Sequence, residues 1–167
     1  MSTELERLQR GPAQTESPGG IGTVRFIARC PDGNAGEVLA VAKSALEVAI
    51  RLSQSGVFEE NAWMAALPDR FVKNSALHPS QEEIDREAAL PLEERIRLSR
   101  ETRCSVRGFM NSFLPELELK GWSWWDAAIL DENHIAVAVE VEGWPFPWGS
   151  LRWLFRTSGA ADLESEP

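Results

Sequence analysis

The chain has 167 residues, of which 43% are hydrophobic and 26% are charged, which is the composition of an ordinary globular domain. A chain of that length buries a hydrophobic core without needing disulfides or metal ions. Its net charge of -9 argues against nucleic-acid and anionic-membrane binding, because both depend on an excess of Lys and Arg.

We expect one folded unit over residues 21–158, between two flexible ends. Residues 1–20 contain five Gly and Pro among polar side chains and offer little to bury, which is typical of a flexible leader with a short helical turn around Leu5 and Leu8. Residues 159–167 combine small side chains with three acidic ones, which is typical of an acidic flexible tail.

The folded unit begins with a strand followed by a long helix. Residues 23–30 alternate between apolar and polar side chains, which predicts a half-buried strand. Apolar residues then recur at helical spacing and predict an amphipathic helix over 35–55. Asn34 and Glu37 have the spacing of a capping box at its start, and Gly56 supplies a stop at its end.

The middle of the chain predicts shorter helices separated by prolines. We expect a short helix and a loop within 57–79, a helix over 81–89, and a helical stretch over 92–113 broken near 103–105.

A β-hairpin is the clearest feature of the C-terminal half. Strands over 122–130 and 134–142 flank the turn residues Asp131-Glu132-Asn133, and a last helix is expected over 148–157. The element order β-α-α-α-β-β-α predicts an α+β fold, in which a small antiparallel sheet of about three strands packs against several helices.

Tryptophan is the most unusual feature of the composition. The chain has seven Trp and no Tyr, and six of the seven lie within residues 122–153. On a strand, Trp122 and Trp124 share one face while Trp125 takes the other. One face can enter the core, whereas the other must be covered by this chain or left open to a partner.

These features favour a non-enzymatic, acidic protein-binding module. One concrete form is an intracellular inhibitor or immunity-type protein that neutralises a basic toxin by electrostatic steering and an aromatic anchor. The partner would be another protein or a second copy of this chain, and we expect no cofactor, metal ion, nucleic acid or membrane. The expected contacts are three aromatic anchors and two acidic rim residues: Trp125, Trp144, Trp148, Glu140 and Glu142.

Two alternatives stay open. The arginine-rich helix over 95–107 carries three guanidinium groups on one face: Arg100, Arg103 and Arg107. These groups can hold an anionic ligand or substrate, with Glu140 or Asp126 as acid or base, although pairing with nearby glutamates competes with that interpretation. The other alternative is a homo-oligomer that buries its Trp face in its own interface.

The cysteines and the hydropathy pattern indicate a cytoplasmic protein. Cys30 and Cys104 are too few for a disulfide framework, so buried free thiols are expected, with a single bridge between them as the open alternative. No apolar run has the length of a membrane span or of a signal segment.

Overall fold

The structure is a computed structural model that describes residues 2–101 and 104–166, apart from the side chains of residues 99–101. Eight α-helices, one 3₁₀ helix and four strands lie within these described residues. In chain order they are α1 Glu4–Arg10, β1 Gly22–Arg29, α2 Ala35–Gln54, α3 Glu60–Ala66, α4 Asp69–Asn74, α5 Gln81–Ala88, α6 Leu92–Glu101, α7 Val106–Asn111, the 3₁₀ helix Pro115–Leu117, β2 Ser123–Asp131, β3 His134–Val141, α8 Gly149–Thr157 and β4 Asp162–Ser165.

The four strands form one antiparallel sheet in the order β2-β3-β1-β4. Strands β1 and β3 pair over their whole length, from Gly22 opposite Val141 to Arg29 opposite His134. The predicted α+β class and the β2–β3 hairpin are confirmed, and the sheet has one strand more than the three expected. Because β1 and β3 occupy the centre, β2 and β4 are the two edges of the sheet.

Helix α2 packs against the sheet and against α8 and supplies much of the core. Its buried stripe consists of Val38, Ala42, Ala45, Leu46 and Ala49. The predicted helix over 35–55 is confirmed, and Gly56 follows it with a φ of +71°. The predicted capping box does not form, because the side chain of Asn34 makes no cap hydrogen bond.

Short helices extend this core on the side of α2 with aromatic side chains. The rings of Trp63 and Phe71 lie 6.3 and 5.0 Å from the ring of Phe109, measured between centroids. The expected single helix and loop within 57–79 are instead two helices, α3 and α4. Pro68 separates them, since the residue before a proline is held in extended backbone.

Helices α5, α6 and α7 follow the predicted order. Ser80 caps α5, since its hydroxyl accepts the Glu83 N–H at 3.2 Å. Ser105 caps α7 in the same way, accepting the Gly108 N–H at 2.9 Å. The helical stretch expected over 92–113 is therefore divided, with α6 ending before Cys104 and α7 beginning after Ser105.

Both chain ends contain regular structure, and the helical turn expected around Leu5 and Leu8 is part of helix α1. Helix α1 forms within the expected leader, where Thr3 and Glu6 make a complete capping box and Leu8 is buried in the core. Strand β4 forms within the expected tail, pairs with β1 and buries Leu163. A few side chains join these polar segments to the core, Leu5 and Leu8 at one end and Ala160 and Leu163 at the other.

Both cysteines are free and buried, and burial raises the pKa of the Cys104 thiol to about 12. Since the thiolate is the reactive form, we expect iodoacetamide at about pH 8 to label neither thiol in the native protein, and to label both once urea unfolds it. Mass spectrometry checks this result. Rapid native labelling of Cys104 would show that its surroundings are open to water.

Candidate functional site

The tryptophans are divided between the core and the surface. Trp144 is 63% exposed, whereas the others are buried or partly buried. The buried ones are Trp63, Trp122 and Trp124, and the partly buried ones are Trp125, Trp148 and Trp153. Of the three tryptophans predicted as partner contacts, Trp125 and Trp148 are thus partly buried and Trp144 is exposed.

The second face of the Trp-bearing strand is covered by this chain's own N-terminal helix. Trp124 lies opposite Val139 and Asp126 lies opposite Ala138, so Trp125 is the extra residue of a β-bulge. The guanidinium carbon of Arg7 lies 5.2 Å from the centre of the Trp125 ring, in cation–π contact. Trp125 was predicted as a partner contact, but its ring faces a side chain of α1.

The buried side chain of Arg7 joins helix α1 to β2. Its Nε donates to the backbone oxygen of Trp124 at 2.9 Å, and a terminal nitrogen donates to the Ser123 hydroxyl at 3.1 Å. The same guanidinium lies 3.6 Å from Glu16 and 4.0 Å from Glu140. Glu140, predicted as a rim contact, is thus engaged within the chain.

Trp148 is covered as well, whereas Trp144 and Glu142 remain on the surface. The Trp148 ring lies 4.8 Å from the ring of Phe26 on one side, and the Arg152 guanidinium lies 4.5 Å from its centre. Trp144 contacts Phe146 edge-on and exposes most of its ring, and Glu142 is exposed. Of the five predicted contacts, only these two are open to solvent.

Of the three arginines in the predicted anion site, the structure describes the side chain of Arg107. Arg107 donates two hydrogen bonds to one carboxylate oxygen of Glu60, at 2.9 and 2.8 Å, which is the intramolecular pairing that competed with anion binding. Arg103 and the side chain of Arg100 lie outside the described residues. Asp126, a predicted acid or base, accepts the backbone N–H of Ala127 at 2.9 Å.

The first part of the β2 edge is closed by side chains of α1. The N–H of Trp124 donates to Glu4 at 2.9 Å, and its backbone oxygen accepts the Arg7 bond already described. Lys120 holds the Glu4 carboxylate in place at 2.9 Å. These side chains occupy the positions that a neighbouring strand would take, which protects the edge from pairing with other chains.

In the described part of the chain, no other element bonds to the outward backbone of the second part of the β2 edge, where the Ala127 N–H is held by its neighbour Asp126. In an antiparallel ladder, successive residues turn their N–H and C=O alternately toward and away from the neighbouring strand. The Cys30 N–H bonds to the Asn133 oxygen, so alternate residues of β3, including Ile135 and Val137, turn their backbone groups toward β1. Ala127 and Ile129 lie opposite Val137 and Ile135, and their own backbone groups therefore turn away from β3. The side chains of Ile129 and Leu130 are 51% and 52% exposed.

Acidic residues flank this open stretch. Asp126 precedes it, and Asp131 and Glu132 follow it. The backbone N–H of Asn133 and the ring of His134 hold the pKa of Asp131 below its usual range, so this carboxylate stays ionised in mild acid. The surface combines outward backbone groups, apolar side chains and negative charge, and we call residues 126–132 the open edge.

The other edge of the sheet is protected in a different way. Strand β4 has four residues and carries Asp162 and Glu164, so it is short and charged, as protected edges usually are. Strand β2 is also an edge, but it has nine residues and exposes Ile129 and Leu130. The sequence contains the apolar run of the open edge, but it does not show that β2 would lie at an edge, because that depends on the pairing of β1 with β3.

Comparisons with protein-family models, with curated proteins and with solved structures find no match for this chain. Within the described ranges, no helix is both long and apolar enough to cross a bilayer. In the same residues no three metal-ligating side chains gather into a group that would hold an ion.

Proposed function

We propose that this chain is a non-enzymatic, acidic protein-binding module that captures an extended segment of another protein at the open edge. The bound segment would become a fifth strand beside β2, apolar at its centre and basic at its ends. The observation that carries this proposal is the outward backbone of Ala127 and Ile129, which lies between acidic residues and beside half-exposed apolar side chains.

Strand addition uses each of these groups. Backbone hydrogen bonds supply affinity that is insensitive to sequence, and the side chains of alternate residues supply specificity. A partner strand would also cover Ile129 and Leu130, whose exposed area is a source of hydrophobic binding energy. The net charge of -9 would speed the approach of a basic partner over distances longer than any contact.

A different protein suits the open edge better than a second copy of this chain. Two copies paired at this edge would bring Asp126, Asp131 and Glu132 of each chain into one interface, and like charges close together are destabilising. Lysine or arginine side chains at the ends of a partner strand would instead neutralise them. This chemistry is what an inhibitor or immunity-type protein for a basic target requires, and we propose a cytoplasmic location because both thiols are free.

The test is a binding measurement with two synthetic peptides. Both peptides have a centre of alternating Val and Thr. One peptide carries lysines at both ends, and the other carries glutamates at both ends. We expect the lysine peptide to bind, and Ile129→Lys to weaken it by about tenfold, or about 1.4 kcal/mol, because a charged edge repels both the apolar centre and the basic ends. Fluorescence anisotropy of labelled peptides measures both affinities.

Ile21→Lys is the matched control, since Ile21 is 61% exposed and precedes β1, away from the open edge. It should change the affinity by less than about twofold. Trp144→Ala tests the alternative that the partner binds around Trp144. Trp144 follows β3 and lies at the end of the sheet opposite the hairpin turn, away from the open edge. Loss of binding in Trp144→Ala with full binding in Ile129→Lys would refute the open edge as the site.

A further inference from the structure

A second concave site lies on the helical side of the molecule. Helices α5 and α6 and the chain segments 76–79 and 104–108 enclose a cleft of about 480 Å³, which lies within the range of small-molecule sites. Helix α5 forms one wall and buries none of its own residues. This cleft involves none of the residues of the open edge, so its role is independent of the function proposed above.

The cleft is lined mainly by apolar side chains. Leu77, Ile84, Leu98 and Trp153 are among the residues that line it. Leu77 is 96% exposed, and Ile84 also remains partly open. Leaving such side chains in water is unfavourable, and an apolar ligand in the cleft would cover them.

The floor of the cleft supplies one directional polar group. The Ser105 hydroxyl accepts the Gly108 N–H and lies 2.9 Å from Nδ1 of His78. The hydroxyl and the imidazole are each able to donate or accept, so this pair can present a donor or an acceptor to a ligand. The nearby Cys104 thiol stays protonated, so the floor binds but does not supply a thiolate nucleophile.

The charged side chains around the cleft determine what it binds. Glu83 and Glu87 lie one turn apart on α5 and both line it, and Arg95 lines it from α6. In the described part of the chain, the ion pairs within α5 and α6 are Arg86–Glu82 and Arg97–Glu94. Neither pair involves Glu83 or Glu87, and among the described side chains Arg95 lines the cleft with them. Like charges at this spacing repel each other, and a cation between them relieves that repulsion.

We infer that this cleft binds an apolar amine. The hydrophobic body of the ligand packs between Leu77, Ile84, Leu98 and Trp153, and its ammonium group pairs with Glu83 and Glu87. Two carboxylates against one guanidinium give the described lining a negative balance, and the Trp153 ring adds a favourable face for a cation.

The test uses three probes that share one body and differ in charge: naphthylmethylamine, naphthylmethanol and naphthylacetate. Isothermal titration calorimetry on the full chain should show that the amine binds tightest and the acetate weakest. The double variant Glu83→Gln with Glu87→Gln should weaken the amine by about threefold or more while leaving the alcohol unchanged. Glu82→Gln is the matched control, since Glu82 pairs with Arg86, and it should change none of the three affinities.

Ala88→Phe locates the site, because its ring would fill the cleft from α5, and all three probes should then bind more weakly. Since α5 buries none of its residues, these variants should keep the wild-type urea midpoint. Tightest binding of the acetate, or equal binding of all three probes, would overturn the amine assignment. Undiminished binding in Ala88→Phe, or no binding of any probe to the wild type, would overturn the cleft itself.

Discussion

Replacing Trp124 by Ala should lower the free energy of unfolding by about 4 kcal/mol, the largest effect that we expect from a single substitution. The Trp124 side chain is buried, and its ring lies 6.3 Å from that of Phe155 at an interplanar angle of 10°. Alanine would leave a cavity between β2 and α8 that the packed sheet cannot close. Urea unfolding followed by far-UV circular dichroism measures the change.

Trp144→Ala is the control for that experiment, because it removes the same side chain from an exposed position. We expect it to cost less than about 1 kcal/mol, since most of its ring is already in water. A small loss for Trp124→Ala, or similar losses for both variants, would contradict the assignment of Trp124 to the core and Trp144 to the surface.

Replacing Arg7 by Met should lower the free energy of unfolding by about 3 kcal/mol. The guanidinium is buried, and its loss leaves the backbone oxygen of Trp124 and the carboxylates of Glu16 and Glu140 without their partner. Methionine keeps most of the side-chain volume, so the measured change isolates the polar contacts. Urea unfolding again gives the value.

Arg51→Met is the matched control for Arg7. Arg51 is exposed and pairs with Glu47 one helical turn away at 3.0 Å. Such exposed pairs contribute about 0.5 kcal/mol, because water screens both charges. If both variants lost equally little, Arg7 would be an ordinary surface arginine, and the leader would not be held against β2 as described.

The elements predicted correctly are those whose signal is local. Helix α2 follows from its apolar stripe, and the hairpin follows from two alternating runs around a short polar turn. Both patterns can be recognised from neighbouring residues, because each element buries one continuous face. The break between α6 and α7 was indicated as well, since Ser105 is a good N-cap residue.

The packing of the two ends depends on distant partners, which local sequence patterns do not show. Thr3 and Glu6 do form a local capping box, which was an available signal, but α1 is held mainly through Leu8 and Arg7. The partner of Arg7 lies 117 positions away on β2. Strand β4 has one buried apolar side chain, Leu163, and too short a pattern to predict.

The candidate sites were predicted less well than the fold. The Trp-bearing strand can be predicted from sequence, but the residue that covers its second face cannot. That residue is Arg7 of the same chain, which lies over the ring of Trp125. The open edge cannot be predicted in this way, because the position of a strand within a sheet is a property of the whole fold. The same holds for the cleft, because its walls come from separate helices.

Backbone amide exchange at Ile129 is the most direct test of the open edge. We expect its N–H to exchange rapidly in the free protein, because it faces away from β3, and to become protected when the lysine-flanked peptide binds and accepts its hydrogen bond. NMR of the ¹⁵N-labelled full chain measures this exchange with and without peptide. Binding that left the Ile129 amide unprotected and protected amides near Trp144 instead would contradict capture by strand addition.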